Sequence, residues 1–150
     1  MSDTYPATII WAGNTLDPAY PKVSTLTKPE GKASIPVSGV PLYGGDGACW
    51  NPEDMLAGAL ANCHMLTFLH RARLAGFLAV RYEDAAEGIM AEIAPKRMAV
   101  TKVWLRPVVT WEGRAPTEAE LERLHHEAHE ECFIANSVTT KVVIAAPAAA

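Results

Sequence analysis

Residues 51–75 constrain this chain more than any other segment. Asn51 is a good N-cap, and Pro52 suits the first helical position, where its missing N–H costs nothing. Glu53 and Asp54 put negative charge at the positive end of the helix dipole. Gly76 is a natural C-terminal stop. Between these signals, Met55, Leu56, Ala57, Ala59, Leu60 and Ala61 point in almost every direction around the axis. A helix that is apolar all round is buried on all sides. A 150-residue protomer has little protein with which to wrap it, which points to a homodimer. The segment is no membrane span. Its most apolar part, 55–69, is interrupted by Asn62 and His64 and falls short of the roughly 20 apolar residues a bilayer requires.

The flanking sequence has a different period. Thr8-Ile9-Ile10-Trp11, Val23-Ser24-Thr25-Leu26 and Ala33-Ser34-Ile35-Pro36-Val37 read as short strands, punctuated by Gly13-Asn14, Pro29-Glu30-Gly31 and Gly44-Gly45-Asp46-Gly47. Residues 78–93 and 98–112 read as two long strands joined through Ala94-Pro95-Lys96-Arg97. Thr117 and Glu120 form a capping box that opens a second helix, running to about Glu131. Residues 138–144 read as a last strand. The order β-β-β-α-β-β-α-β predicts an α+β fold with antiparallel sheet around a long buried central helix. A single domain over 1–150 is expected, with a fraying tail at about 145–150.

Charge narrows the function classes. The net charge of −4 argues against a nucleic-acid surface, which wants clustered Lys and Arg. His70, Arg71 and Arg73 are the nearest approach to a basic cluster and fit a solvated helix end. The first residues carry neither the basic nor the apolar region of a secretory signal. The expected location is the cytoplasm, with no membrane partner, where three cysteines stay reduced unless they do chemistry.

Two of those cysteines share a candidate site. Cys63 sits deep in the central helix. Cys132 follows Leu121, Leu124 and Ala128, and eleven residues after Leu121 is three turns plus about 20°, so it shares their inward face. A facing pair suits peroxide chemistry: a thiolate attacks, and a second thiol traps the sulfenic acid as a disulfide. That both are small buried hydrophobes stays open on spacing alone. A zinc site from Cys63, His64, His129 and Cys132 is disfavoured, because adjacent helical residues point about 100° apart. No metal or cofactor is expected. His125 and His126 lie on a charged helix and are expected to be solvated, and Cys49 is expected to be an incidental loop cysteine.

Trp50-Asn51-Pro52-Glu53-Asp54-Met55-Leu56-Ala57, followed by Ala59-Leu60-Ala61-Asn62-Cys63, resembles the central-helix motif of the OsmC/Ohr family. Ala128-His129-Glu130-Glu131-Cys132-Phe133-Ile134-Ala135-Asn136-Ser137 resembles its second-cysteine segment. The resemblance runs from about Ala7 to Ile144. It implies an OsmC-like α+β fold in an intertwined homodimer, and thiol-dependent reduction of organic hydroperoxides to alcohols. It further implies that Cys63 is the peroxidatic cysteine, Cys132 the resolving cysteine and Glu53 an acidic residue organising the site. Glu53 precedes Cys63 by ten residues, about 15 Å of straight helix, so a contact with the thiolate must come from the partner protomer.

Two positions depart from the pattern. Family peroxidases usually carry an arginine in the N-terminal sheet region, and this chain has none before Arg71; its early cations are Lys22, Lys28 and Lys32. A lysine lacks the planar fork that can pair with Glu53 and sulfur together. Phe133 follows the second cysteine where proline is common among Ohr members, which resembles the OsmC-like branch. The alternative function is a non-enzymatic OsmC-like protein that binds a small ligand or senses redox state.

Overall fold

The computed structural model describes residues 3–145, so all of the expected tail at about 145–150 beyond residue 145 lies outside the described residues. The chain divides into two compact units between Met55 and Leu56. The first holds an antiparallel meander of β1 (Thr8–Ile10), β2 (Val23–Thr27) and β3 (Ser34–Ser38), in that spatial order. Pro36 pairs with Thr25 on β3, an edge of this sheet, where a missing N–H is tolerated. The Ser38 hydroxyl donates to the Lys22 carbonyl at 2.7 Å and accepts from the Asp46 N–H at 3.0 Å, tying the glycine-rich loop to the meander.

Helix α1 (Pro52–Leu74) forms where its caps predict. Asn51 Oδ1 accepts the Asp54 N–H at 2.8 Å. At the other end Gly76 has φ +81°, a left-handed conformation that glycine adopts without penalty, and the Phe77 N–H returns to the Ala72 carbonyl at 3.0 Å. The second unit continues with β4 (Leu78–Asp84), β5 (Glu87–Ala94), β6 (Arg97–Leu105), β7 (Pro107–Glu112), α2 (Glu118–Glu130) and β8 (Lys141–Ile144). The α+β class and the largely antiparallel pairing agree with the sequence; β6 and β8 pair in parallel.

The two expected long strands are a correction: each is broken in the middle. β4 pairs with β7, while β5 pairs with β6 in a separate sheet. Pro107 has no N–H with which to carry a ladder onward from Leu105, and Asp84 Oδ1 takes the Arg106 N–H at 2.6 Å instead. Both chains therefore change sheet at the same level. The hairpin turn is Pro95-Lys96, as expected, with Lys96 at φ +62°.

Both sheets serve α1. Its first half, through Ala57 and Leu60, packs on Val103 and Leu105 of β6. Its second half, through Phe68 and Ala72, packs on Phe77, on Leu124 and Ala128 of α2, and on Tyr82 of β4 and Trp111 of β7. The buried positions 57, 60, 64, 68 and 72 follow helical spacing. Ala59, Asn62 and Leu66 on another face are exposed, Leu66 by 58%.

Candidate functional site

Capping decides where α2 starts. Thr117 Oγ1 accepts the Glu120 N–H at 3.2 Å, and the Glu120 carboxylate accepts the Thr117 N–H at 2.9 Å. From that start, Leu121, Leu124 and Ala128 lie on the stripe facing α1. Cys132 follows just past the last turn, with its N–H on the His129 carbonyl at 3.3 Å, and is 1% exposed. Cys63 is half-buried in the middle of α1, where Thr67 Oγ1 donates to its carbonyl at 3.0 Å.

The structure brings these two thiols together. Burial raises the Cys132 thiol pKa. The Ala135 N–H, donating to Sγ at 3.4 Å, acts the other way. Cys63 lies close enough that its negative charge, as a thiolate, pushes the Cys132 pKa further up. The reduced pair therefore joins an accessible sulfur to a protected one, and no disulfide links them. A groove of about 470 Å³ opens alongside, lined by Leu66, Thr67, His70, Glu131, Phe133 and Asn136.

Glu53 lies in the first turn of α1, ten residues of helix from Cys63. Cys49, in the loop before α1, has a raised thiol pKa, from desolvation and then from the Asp46 carboxylate, so its thiolate is disfavoured. Of the early lysines, Lys22 sits 3.2 Å over the Tyr20 ring and Lys32 pairs with Glu30 at 2.7 Å.

His125 corrects the sequence expectation: it is buried, and only His126 is exposed. His64 follows Cys63 but turns away from it into the core, where its Nε2 meets His125 Nδ1 at 3.0 Å. Burial, then the His125 and His129 charges, lowers the His64 pKa to about 4; burial lowers that of His125 to about 4. The signal was present in the sequence. His125 falls at i+4 from Leu121 and i−3 from Ala128, on the stripe itself. Arg71 was also underrated: it forks onto Glu131, with Nε to Oε2 at 2.9 Å, and so ties α1 to the residue before Cys132. Among the described residues, no group of three or more His, Cys, Asp or Glu side chains is arranged to hold a metal ion, and no helix is long and apolar enough to cross a membrane.

Comparison with known proteins agrees with this architecture. No curated protein matches the sequence. An OsmC-like protein of unknown function from Vibrio cholerae is 36% identical, with 96% of this chain and 99% of that chain covered and a TM-score of 0.90. An organic hydroperoxide resistance protein OsmC from Legionella pneumophila is 19% identical, covers 95% and 97% of the two chains and has a TM-score of 0.73. An organic hydroperoxide resistance protein from Elizabethkingia anophelis, with thiocyanate bound, is 16% identical, covers 96% of each chain and has a TM-score of 0.72. The last two share the fold. The profile of the OsmC-like protein family matches residues 45–146, more than half of the sequence, and the chain belongs to that family.

Proposed function

We propose that this chain is a thiol-dependent peroxidase that reduces organic hydroperoxides to alcohols, with Cys63 attacking and Cys132 resolving. The observation that carries the proposal is the half-buried Cys63 thiol set against the fully buried Cys132 thiol. Cys63 thiolate attacks the outer peroxide oxygen. The O–O bond breaks, and the alkoxide leaves and takes a proton to become the alcohol. Cys132 then attacks the Cys63 sulfenic sulfur, forming the disulfide and releasing water. The Ala135 N–H at Cys132 Sγ supports this second thiolate as it forms. An external thiol or dithiol restores the pair by exchange.

The apolar groove lining from Leu66 and Phe133 favours organic peroxides over hydrogen peroxide. The setting we propose is cytoplasmic, in a homodimer whose protomer acts as one domain, with Glu53 reaching the Cys63 thiolate of its partner. The groove also favours a second reading, in which it holds an apolar ligand that is never turned over. Consumption of cumene hydroperoxide with dithiothreitol as reductant separates the two. Multiple turnovers that vanish in Cys63→Ser support the peroxidase. No turnover, with an apolar dye still bound in the groove, supports the second reading.

A further inference from the structure

Inside the second unit the buried side chains of His64 and His125 meet through their ring nitrogens. Their ring centroids are 5.3 Å apart and their planes 9° apart. That separation matches the 3.0 Å nitrogen–nitrogen distance plus the two ring radii. The rings therefore meet edge to edge in one plane, in the geometry of a directional N–H···N bond. Phe68 stacks on His125 at 4.3 Å, and both histidines are buried. Water cannot replace this bond without opening the core, and breaking it strands two buried nitrogens.

Each ring is tied to one of the two cysteines. His64 is the residue after Cys63. His125 is seven residues before Cys132, about 10 Å along α2. Apolar packing from Leu124 and Ala128 holds α2 down but tolerates sliding, since burial is non-directional. A bond between two fixed nitrogens does not slide.

We infer that His64 and His125 are positioning residues: their bond sets the register of α2 on α1, holds Cys132 against Cys63, and gives way when the pair is protonated. This inference rests on the two-cysteine site of the proposed peroxidase and adds its regulation. One extra proton leaves a charge in an apolar pocket. A second leaves two N–H groups facing each other with no acceptor between them. Acid therefore separates the thiols while leaving Cys63 free to be oxidised. The titratable groups on the elements packed here are His129 on α2, Tyr82 on β4, which lies by Phe68 and feels the Asp84 carboxylate, and Arg71, which pairs with Glu127 and Glu131 between α1 and α2. β7 presents Trp111 to Phe68. Of these groups, His129 acts on His64 through charge.

The test is the effective concentration of the two thiols, read as the equilibrium between the full chain and glutathione, with a small diselenide to speed exchange and intact mass after alkylation as the readout. This measures juxtaposition without peroxide. His125→Phe should lower it about tenfold at neutral pH, the order expected for a stranded buried polar group. His125→Asn places an amide near the Nδ1 position and should largely restore it. The His64→Gln/His125→Asn chain, which lacks both imidazoles, carries whatever pH dependence the exchange has of its own; relative to it, the wild type should lose about tenfold between about pH 7 and pH 5. His126→Asn, on the exposed side of α2, should behave as wild type.

An unchanged effective concentration in His125→Phe, or a wild-type profile parallel to that of the double variant, overturns the inference. If His125→Phe does not fold, the two pH profiles decide. If the expected pattern holds but cumene hydroperoxide is not consumed, the peroxidase proposal falls and the positioning role stands.

Discussion

At the scale of single residues, the two cysteines should fail differently, because attack and resolution are separate steps. Cys63→Ser should remove turnover entirely, since a serine hydroxyl is too weakly acidic to replace the thiolate. Cys132→Ser should consume about one equivalent of peroxide and then stall as sulfenic acid, which excess oxidant carries to sulfinic acid. Stopped-flow single turnovers with intact mass will check this, and a first turnover that survives in Cys63→Ser but not in Cys132→Ser would reverse the roles. The buried histidines make a second prediction. Their pKa values are lowered from 6.5 to about 4 in the folded chain. A depressed pKa contributes stability that is whole above the unfolded value and lost as pH falls toward the folded one. Stability should therefore be level above about pH 6.5 and decline by a few kcal/mol toward pH 4. Urea unfolding across that range is the measurement, and a midpoint constant down to pH 4 contradicts the buried pair.

At the scale of elements, α1 and α2 are held by different means. α1 depends on Phe68, fully buried where α1 meets α2 and near the rings of Tyr82 and Trp111. Phe68→Ala should cost about 3–5 kcal/mol and loosen both cysteines together. α2 is short and charged and relies on its start. Thr117→Ala removes the oxygen that accepts the Glu120 N–H, and should cost about 1 kcal/mol while leaving the thiol chemistry intact. Denaturant unfolding followed by tryptophan fluorescence checks both, and equal costs for the two would mean that capping matters as much as packing here.

At the scale of the whole molecule, one protomer leaves apolar side chains facing outward. Leu66 on α1, Ile93 on β5 and Met98 on β6 are each more than half exposed. A second copy of the chain is the cover that the sequence of α1 calls for, and exposed apolar surface of this kind marks interaction sites. Sedimentation at micromolar concentration should find a homodimer with no folded monomer in equilibrium. A folded, active monomer would remove both the dimer and the proposed reach of Glu53 to a partner's thiolate.

Local rules sufficed wherever the decisive groups lie close along the chain. The Asn51-Pro52 start and Gly76 stop of α1, the Thr117–Glu120 capping box and the Pro95-Lys96 turn involve neighbours a few residues apart, so their chemistry is legible in order. The inward face of Cys132 was legible too, because helical spacing from Leu121 carries over three turns. Other features depended on contacts between distant residues. The break of each long strand depends on Asp84 meeting the Arg106 N–H, twenty-two positions away. The fate of His125 depends on His64, sixty-one positions away. A histidine on a charged helix is solvated unless another buried ring supplies its hydrogen bond, and only the packing of α2 on α1 supplies it here.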